Sequence, residues 1–119
     1  MSRALMILVA GPYRSGTDGD PERIAANVEA MTAVSLQLYR RGHLPVMGEW
    51  FALPLIEQAQ RTEPGLDHDG EIFHAVAERA LARCDACLRI GGPSEGADRM
   101  VETARRLGKA VYTDIDQVP

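Results

Sequence analysis

A continuous apolar run near the start of the chain most constrains the fold. Residues Leu5 to Ala10 read LMILVA, the length of one strand, and Gly11-Pro12 ends the run. A strand without polar alternation is buried on both faces, which is typical of a parallel sheet covered by helices. The run therefore predicts that the rest of the chain supplies crossover helices and further parallel strands.

Helical and strand-like segments alternate through the rest of the chain. Predicted helices cover residues 21–40, 53–60, 69–83 and the segment between Gly96 and Gly108, and predicted strands cover 43–47, 84–90 and 110–113. This order indicates an α/β protein with a doubly wound, Rossmann-like or flavodoxin-like parallel sheet of four to five strands and helices on both faces. We expect residues 1–119 to form a single domain.

Charge and hydropathy exclude several classes of partner. The net charge is −4, so we do not expect the domain to bind nucleic acid. Because the apolar runs fall short of the roughly 20 residues of a membrane span, we expect no membrane partner. The first apolar segment is short and ends as a strand would, so we expect a cytoplasmic protein. Cys84 and Cys87 form a lone CxxC, which we interpret as two buried structural thiols.

The loops that follow the predicted strands are the expected ligand site, since ligands bind at the carboxyl ends of strands in an open parallel sheet. These loops are 11–16, 48–51 and 91–96. The turn Ser94-Glu95-Gly96 presents backbone N–H groups and a hydroxyl to that edge. Arg14 is either a bidentate phosphate donor or a solvated loop charge. Trp50 either stacks on a planar ligand or belongs to the core or to a subunit contact.

One helix carries a stripe of titratable side chains. Glu71, His74 and Glu78 share a face by their spacing, and this face is either solvated or turned toward the cleft. In the second case Glu78 becomes a candidate general acid or base.

The order and spacing of three motifs resemble the nucleoside 2-deoxyribosyltransferase superfamily, including its 2'-deoxynucleoside 5'-monophosphate N-glycosidases and related short domains. The first motif is Val9–Arg14, a strand and a Gly-Pro turn with an arginine. The second is Glu78 followed by Cys84–Leu88, a helical acid before an Ala-Asp pair and an apolar strand. The third is Ser94–Gly96, a helix, and then Leu107–Val111. In order and spacing, the resemblance covers nearly the whole chain.

The resemblance implies cleavage or transfer at the N-glycosidic bond of a nucleoside or nucleoside 5'-monophosphate, by the two-carboxylate chemistry of retaining glycosidases. It implies a phosphate held by Ser94, Gly96 and Arg14, with no metal and no other cofactor. The substrate-binding residues that it implies are Gly11, Tyr13, Arg14, Trp50, Ser94, Glu95 and Gly96.

The expected nucleophile is missing at its usual position. Counting back from the Leu-Gly-Lys motif, the family's helical glutamate is replaced by Met100. Glu78 is then the candidate general acid or base, and Asp98 the first candidate nucleophile or electrostatic stabiliser, with Glu95 and Glu102 as alternatives. The chain is therefore either such a hydrolase or transferase, a non-catalytic nucleotide- or sugar-phosphate-binding module, or a structural protein. In each case a homodimer is expected.

Overall fold

The computed structural model describes residues 3–65 and 69–119 and has an α/β fold. The strands are β1 (Met6–Ala10), β2 (Leu44–Val46), β3 (Ala86–Arg89) and β4 (Ala110–Tyr112). The helices are α1 (Pro21–Arg40), α2 (Gly48–Thr62), α3 (Asp69–Ala82) and α4 (Glu95–Arg106), and a 3-10 turn covers Ile115–Gln117. Within the described residues, the strands form one parallel sheet in the order β2-β1-β3-β4. This confirms the predicted doubly wound sheet, in the flavodoxin-like order.

The predicted buried strand is the centre of the sheet. Ile7 of β1 pairs with Pro45 of β2 on one side and with Ala86 of β3 on the other. Ile7 is 0% exposed and Leu8 is 1% exposed. Since successive side chains of a strand point to opposite faces, both faces of β1 are covered, as the apolar run predicts.

Helices cover the two faces of the sheet. Leu8 and Ala10 pack into one cluster with side chains of α3 and α4, among them Met100. Ile7 and Val9 pack into a second cluster with side chains of α1 and of the C-terminal segment. The loops at the carboxyl ends of the strands therefore follow strands that are packed on both faces of the sheet.

Local signals set the bounds of α1 as predicted. The Asp20 carboxylate accepts a hydrogen bond from the Glu22 N–H at 3.0 Å, and Pro21 occupies the first helical turn. The helix ends at Arg40, and one stripe of its side chains faces the protein, since these residues are buried or half-buried: Ile24, Val28, Met31, Ser35 and Leu38.

Helix α2 is longer than the predicted segment 53–60, because it begins five residues earlier, at Gly48, and ends at Thr62. Pro54 lies inside this helix, where a proline is disfavoured. The packing of Ala52 and Ile56, which are buried four positions apart on one face, favours a continuous helix across the proline. The strand-end segment 48–51 is thus the first turn of a helix and not a loop.

The loop expected between the predicted helices 53–60 and 69–83 is shorter than predicted, since α2 reaches Thr62 and α3 begins at Asp69. Residues 66–68 of that prediction lie outside the described residues.

The two cysteines are buried and unpaired, as predicted. Cys84 is 2% exposed and Cys87 is 0% exposed, and both belong to the cluster beneath α3 and α4. Burial raises the pKa of Cys84 to about 11 and that of Cys87 to about 12. Both thiols therefore stay protonated at neutral pH, as structural side chains do.

Candidate functional site

A cleft opens at the carboxyl ends of β1 and β3. These strands are neighbours, but the chain leaves β1 toward β2 and leaves β3 toward β4, on opposite sides. Loops that diverge in this way leave a crevice in an open sheet. The cleft has a volume of about 720 Å³, and its lining comes from the β1–α1 loop, α2, α3 and the start of α4: Tyr13, Arg14, Ser15, Leu53, Ile56, Glu57, Gln60, Gly70, Phe73, His74, Ser94, Gly96 and Ala97.

Helix α1 holds the β1–α1 loop in place. The Asn27 side-chain amide donates to the Tyr13 carbonyl at 2.9 Å, and the buried Thr17 hydroxyl donates to the Arg14 carbonyl at 2.6 Å. The Tyr13 ring stacks on Phe73 of α3, with ring centroids 5.9 Å apart. Arg14 is exposed at the cleft, and no carboxylate among the described residues pairs with its guanidinium. The loop thus presents an aromatic wall and a cation whose guanidinium carbon lies 6.0 Å from the centre of the Tyr13 ring.

Two glycines let the β1 and β3 loops touch. A Cβ atom on Gly11 would lie 3.1 Å from the Ile90 side chain and 3.2 Å from the Ile90 carbonyl oxygen. Gly91 has a φ of +78°, and a Cβ atom there would lie 2.7 Å from the Pro12 ring. Gly11, a predicted substrate-binding residue, therefore lies in the packing between the loops and outside the described lining of the cleft.

The N-terminus of α4 forms another wall. Ser94 is the N-cap, and its hydroxyl oxygen accepts a hydrogen bond from the Ala97 N–H at 3.2 Å. Gly96 follows in the first turn and faces His74, whose ring lies 3.7 Å from the position of an added Cβ atom. Backbone N–H groups at a helix N-terminus attract anions, and a glycine leaves them accessible.

A smaller cleft of about 440 Å³ adjoins the first at this helix end. Its lining includes Ser15, His74 and Gly96, which also line the main cleft, together with Glu95 and Arg99. The structure therefore brings Tyr13, Arg14, Ser94 and Gly96 together, as predicted, and places Glu95 beside them.

The two predicted catalytic carboxylates lie outside the described lining of both clefts. Glu78 of α3 forms an ion pair with Arg99 of α4, with 2.9 Å between Oε1 and Nη2. Asp98 is exposed and accepts a hydrogen bond from Arg89 at 3.1 Å. Glu78 is thus bound to Arg99, which lines the smaller cleft, whereas Asp98 is bound to Arg89 at the end of β3.

Met100 and Trp50 also lie away from the clefts. Met100 is 5% exposed and packs in the core beneath α4. Trp50 is 46% exposed on the first turn of α2 and is absent from the described lining residues. Its surroundings favour the subunit-contact reading, because Phe51 and Leu55 on the same helix are also half-exposed.

Sequence reasoning missed parts of the cleft. Phe73 supplies an aromatic wall, and His74 lines both clefts. Leu53 and Ile56 form an apolar wall on α2. The helical stripe that contains His74 is the signal that pointed to this face.

A buried carboxyl group was missed altogether. Glu49, in the first turn of α2, is 6% exposed, and among the described residues its Oε2 atom has no hydrogen-bonding partner. Burial raises the pKa of this carboxyl above its ordinary value, against the opposing effect of a hydrogen bond from its own backbone. The signal in the sequence was a lone acid in an apolar segment directly after a strand.

Other kinds of site find no support in the residues that the structure describes. Across residues 3–65 and 69–119, no three His, Cys, Asp or Glu side chains lie close enough to hold a metal ion. Over the same ranges, no helix has both the length and the apolar composition of a membrane span.

The comparisons with known proteins leave the family open. The chain matches no protein-family model, and no curated protein matches it in sequence.

Proposed function

We propose that the main cleft binds a nucleoside or nucleoside 5'-monophosphate and that the protein cleaves or transfers at its N-glycosidic bond. The observation that carries this proposal is the meeting of the β1–α1 loop with the N-terminus of α4 in one cleft. These segments carry two of the three motifs in which the sequence resembles the nucleoside 2-deoxyribosyltransferase superfamily.

The charges of the cleft support an anionic group at one end. Arg14 has no carboxylate partner among the described residues, and the N–H groups of α4 near Gly96 point out from the helix end. A phosphate that bridges these groups would receive charge-assisted hydrogen bonds from both walls. Ser94 would orient the turn by capping α4.

The apolar walls of the cleft support a planar base beside the anionic group. Tyr13 and Phe73 stack nearly parallel, at 13° between their planes, and Leu53 and Ile56 stand on α2. Aromatic and aliphatic walls that enclose a few polar groups are typical of small-molecule sites.

The chemistry would require two carboxyl groups near the anomeric carbon. Glu78 remains the proposed general acid or base, and it would act if a ligand phosphate drew Arg99 away from it. Asp98 remains the proposed nucleophile or electrostatic stabiliser, and it would first have to leave Arg89.

Met100 favours a second candidate function, a module that binds the nucleotide without cleaving it. Its side chain is buried in the core, so it neither reaches the cleft nor supplies a nucleophile. In this case the same walls would bind the same ligand, and no base would be released.

Release of free base distinguishes the two functions. The protein is incubated with ribo- and deoxyribonucleosides and their 5'-monophosphates, products are separated by chromatography, and binding is measured by calorimetry. Release of free base supports the enzyme, and binding without release supports the binding module. If no compound is either bound or cleaved, both functions are refuted.

The phosphate contact is tested by Arg14→Ala. Loss of a hydrogen bond to a charged group costs about 1.5–3 kcal/mol, so we expect monophosphate affinity to fall by roughly tenfold or more. The affinity of Arg14→Ala for nucleosides without phosphate should equal that of the wild type. Arg40→Ala is the matched control on the exposed face of α1, and its affinity for monophosphates should also equal that of the wild type.

A homodimer is the proposed assembly, formed through α2. Trp50, Phe51, Leu53 and Leu55 are exposed by 36–53% on this helix. Aromatic side chains are enriched where subunits meet. Light scattering after size exclusion should give twice the mass of the chain, and Trp50→Glu should give the monomer mass.

A further inference from the structure

The carboxyl group of Glu49 is only partly satisfied by the fold: it accepts a hydrogen bond from its own backbone, and its second oxygen is left over. The side chain is 6% exposed, and its Oε2 atom has no hydrogen-bonding partner among the described residues. A buried polar atom without a partner lowers stability, so native proteins rarely keep one without a reason.

Glu49 shares a face of α2 with residues that line the main cleft. Leu53 and Ile56 follow it by four and seven positions, the spacing of one helical face, and both line the cleft. Helical side chains lean toward the N-terminus of their helix. Glu49 therefore extends the lined face of α2 toward the sheet, where β2 ends.

Glu49 is absent from the described lining of both clefts and lies where α2 packs on α3. A Cβ atom on Gly48 would lie 3.2 Å from the Cβ atom of Ala77, so the two helices are in close contact there. One turn earlier on α3, Phe73 lines the cleft, and one turn later on α2, Leu53 lines it as well. Glu49 therefore lies one helical turn before the first residue of α2 that lines the cleft.

We propose that Glu49 is a ligand-binding residue of the cleft and that its free carboxyl oxygen forms a hydrogen bond with a sugar hydroxyl of the bound nucleoside. This inference rests on the proposed function. A hydroxyl suits this position because it donates to a carboxylate and accepts from a protonated carboxyl group. The ligand would then supply the hydrogen-bonding partner that the Oε2 atom of Glu49 lacks among the described residues.

The test compares three side chains at this position. Glu49→Met has a similar volume and no polar atom, while Glu49→Gln keeps an oxygen acceptor and gains N–H donors. Calorimetry with ribo- and deoxyribonucleoside 5'-monophosphates should give the affinity order wild type, then Gln, then Met. We expect at least a tenfold loss for Met, which corresponds to about 1.4 kcal/mol. The same change at the exposed Glu29 of α1 should have no effect on affinity.

Stability separates a ligand-binding role from a structural one. Since Glu49→Met removes a buried carboxyl group with one unpartnered oxygen atom, we expect its melting temperature to equal or exceed that of the wild type while its affinity falls. Wild-type affinity in Glu49→Met would overturn this inference and leave the proposed function standing. No binding of any monophosphate to the wild type would overturn both.

A measurement on the unchanged protein covers the case in which the variants do not fold. The carboxyl carbon resonance of Glu49 in ¹³C-labelled protein should shift when the tightest-binding monophosphate is added. An unchanged resonance at saturation would overturn the inference.

Discussion

The contact between the β1 and β3 loops gives a prediction that requires no ligand. In Gly91→Ala, the added Cβ atom would lie 2.7 Å from the Pro12 Cδ atom, and the backbone would keep a φ of +78°. Gly108→Ala is the matched control, since its φ is +72° and nothing lies within 4 Å of its added Cβ atom. Both variants place an alanine at a positive φ, and only Gly91→Ala adds a close contact with Pro12.

The magnitudes follow from these two terms. A left-handed alanine costs about 1–2 kcal/mol. The lost freedom of the unfolded chain offsets this by about 0.4–1 kcal/mol. Gly108→Ala should therefore lower the free energy of unfolding by about 1 kcal/mol. In Gly91→Ala a rigid proline ring must move, and overpacking of this kind adds about 1–3 kcal/mol.

Chemical denaturation measures both free energies, and thermal melts should separate the variants by about 4–12 °C, at about 4 °C per kcal/mol for a chain of this size. Equal destabilisation of the two variants would refute the close approach of the loops. The Gly91 variant should also bind ligand more weakly, because Pro12 directly precedes the cleft residues Tyr13 and Arg14.

Two further predictions concern titration. The Met6 N–H that donates to Asp85 lowers the pKa of this carboxyl below 3.8, with a smaller contribution from Arg3. The carboxylate should therefore stabilise the fold above pH 3.8 and lose that effect on acidification. Asp85→Asn should flatten the acid limb of a stability-versus-pH curve, and an unchanged limb would contradict this. Cys84 and Cys87 should resist a thiol reagent at pH 8 until the protein is unfolded, and rapid native labelling would contradict their burial.

The parts of the fold that were predicted correctly depend on local signals. The apolar run of β1 needs no partner to identify it as a strand buried on both faces. The cap at Asp20 and the proline that follows it likewise determine the start of α1 within a few residues. The meeting of the Tyr13 loop with Ser94 and Gly96 follows from the topology, because both segments follow neighbouring strands.

The parts that were not predicted depend on contacts between distant elements. The early start of α2 depends on packing against the rest of the protein, which a window around Pro54 does not contain. The pairing of Glu78 with Arg99 joins α3 to α4, so the helical stripe alone did not show that this acid has a partner. The isolation of Glu49 likewise appears only when its surroundings are folded. Nucleotide binding and catalysis stay predictions.

The edges of the sheet affect how this protein can associate with itself. In the part of the chain that the structure describes, the outer strands β2 and β4 have three residues each. Pro45, in the middle of β2, has no N–H to donate. Short edges and prolines discourage the addition of a foreign strand, which is the usual route to aggregation. The exposed apolar side chains of α2 can therefore serve assembly through helix packing while the sheet resists open-ended growth into fibrils.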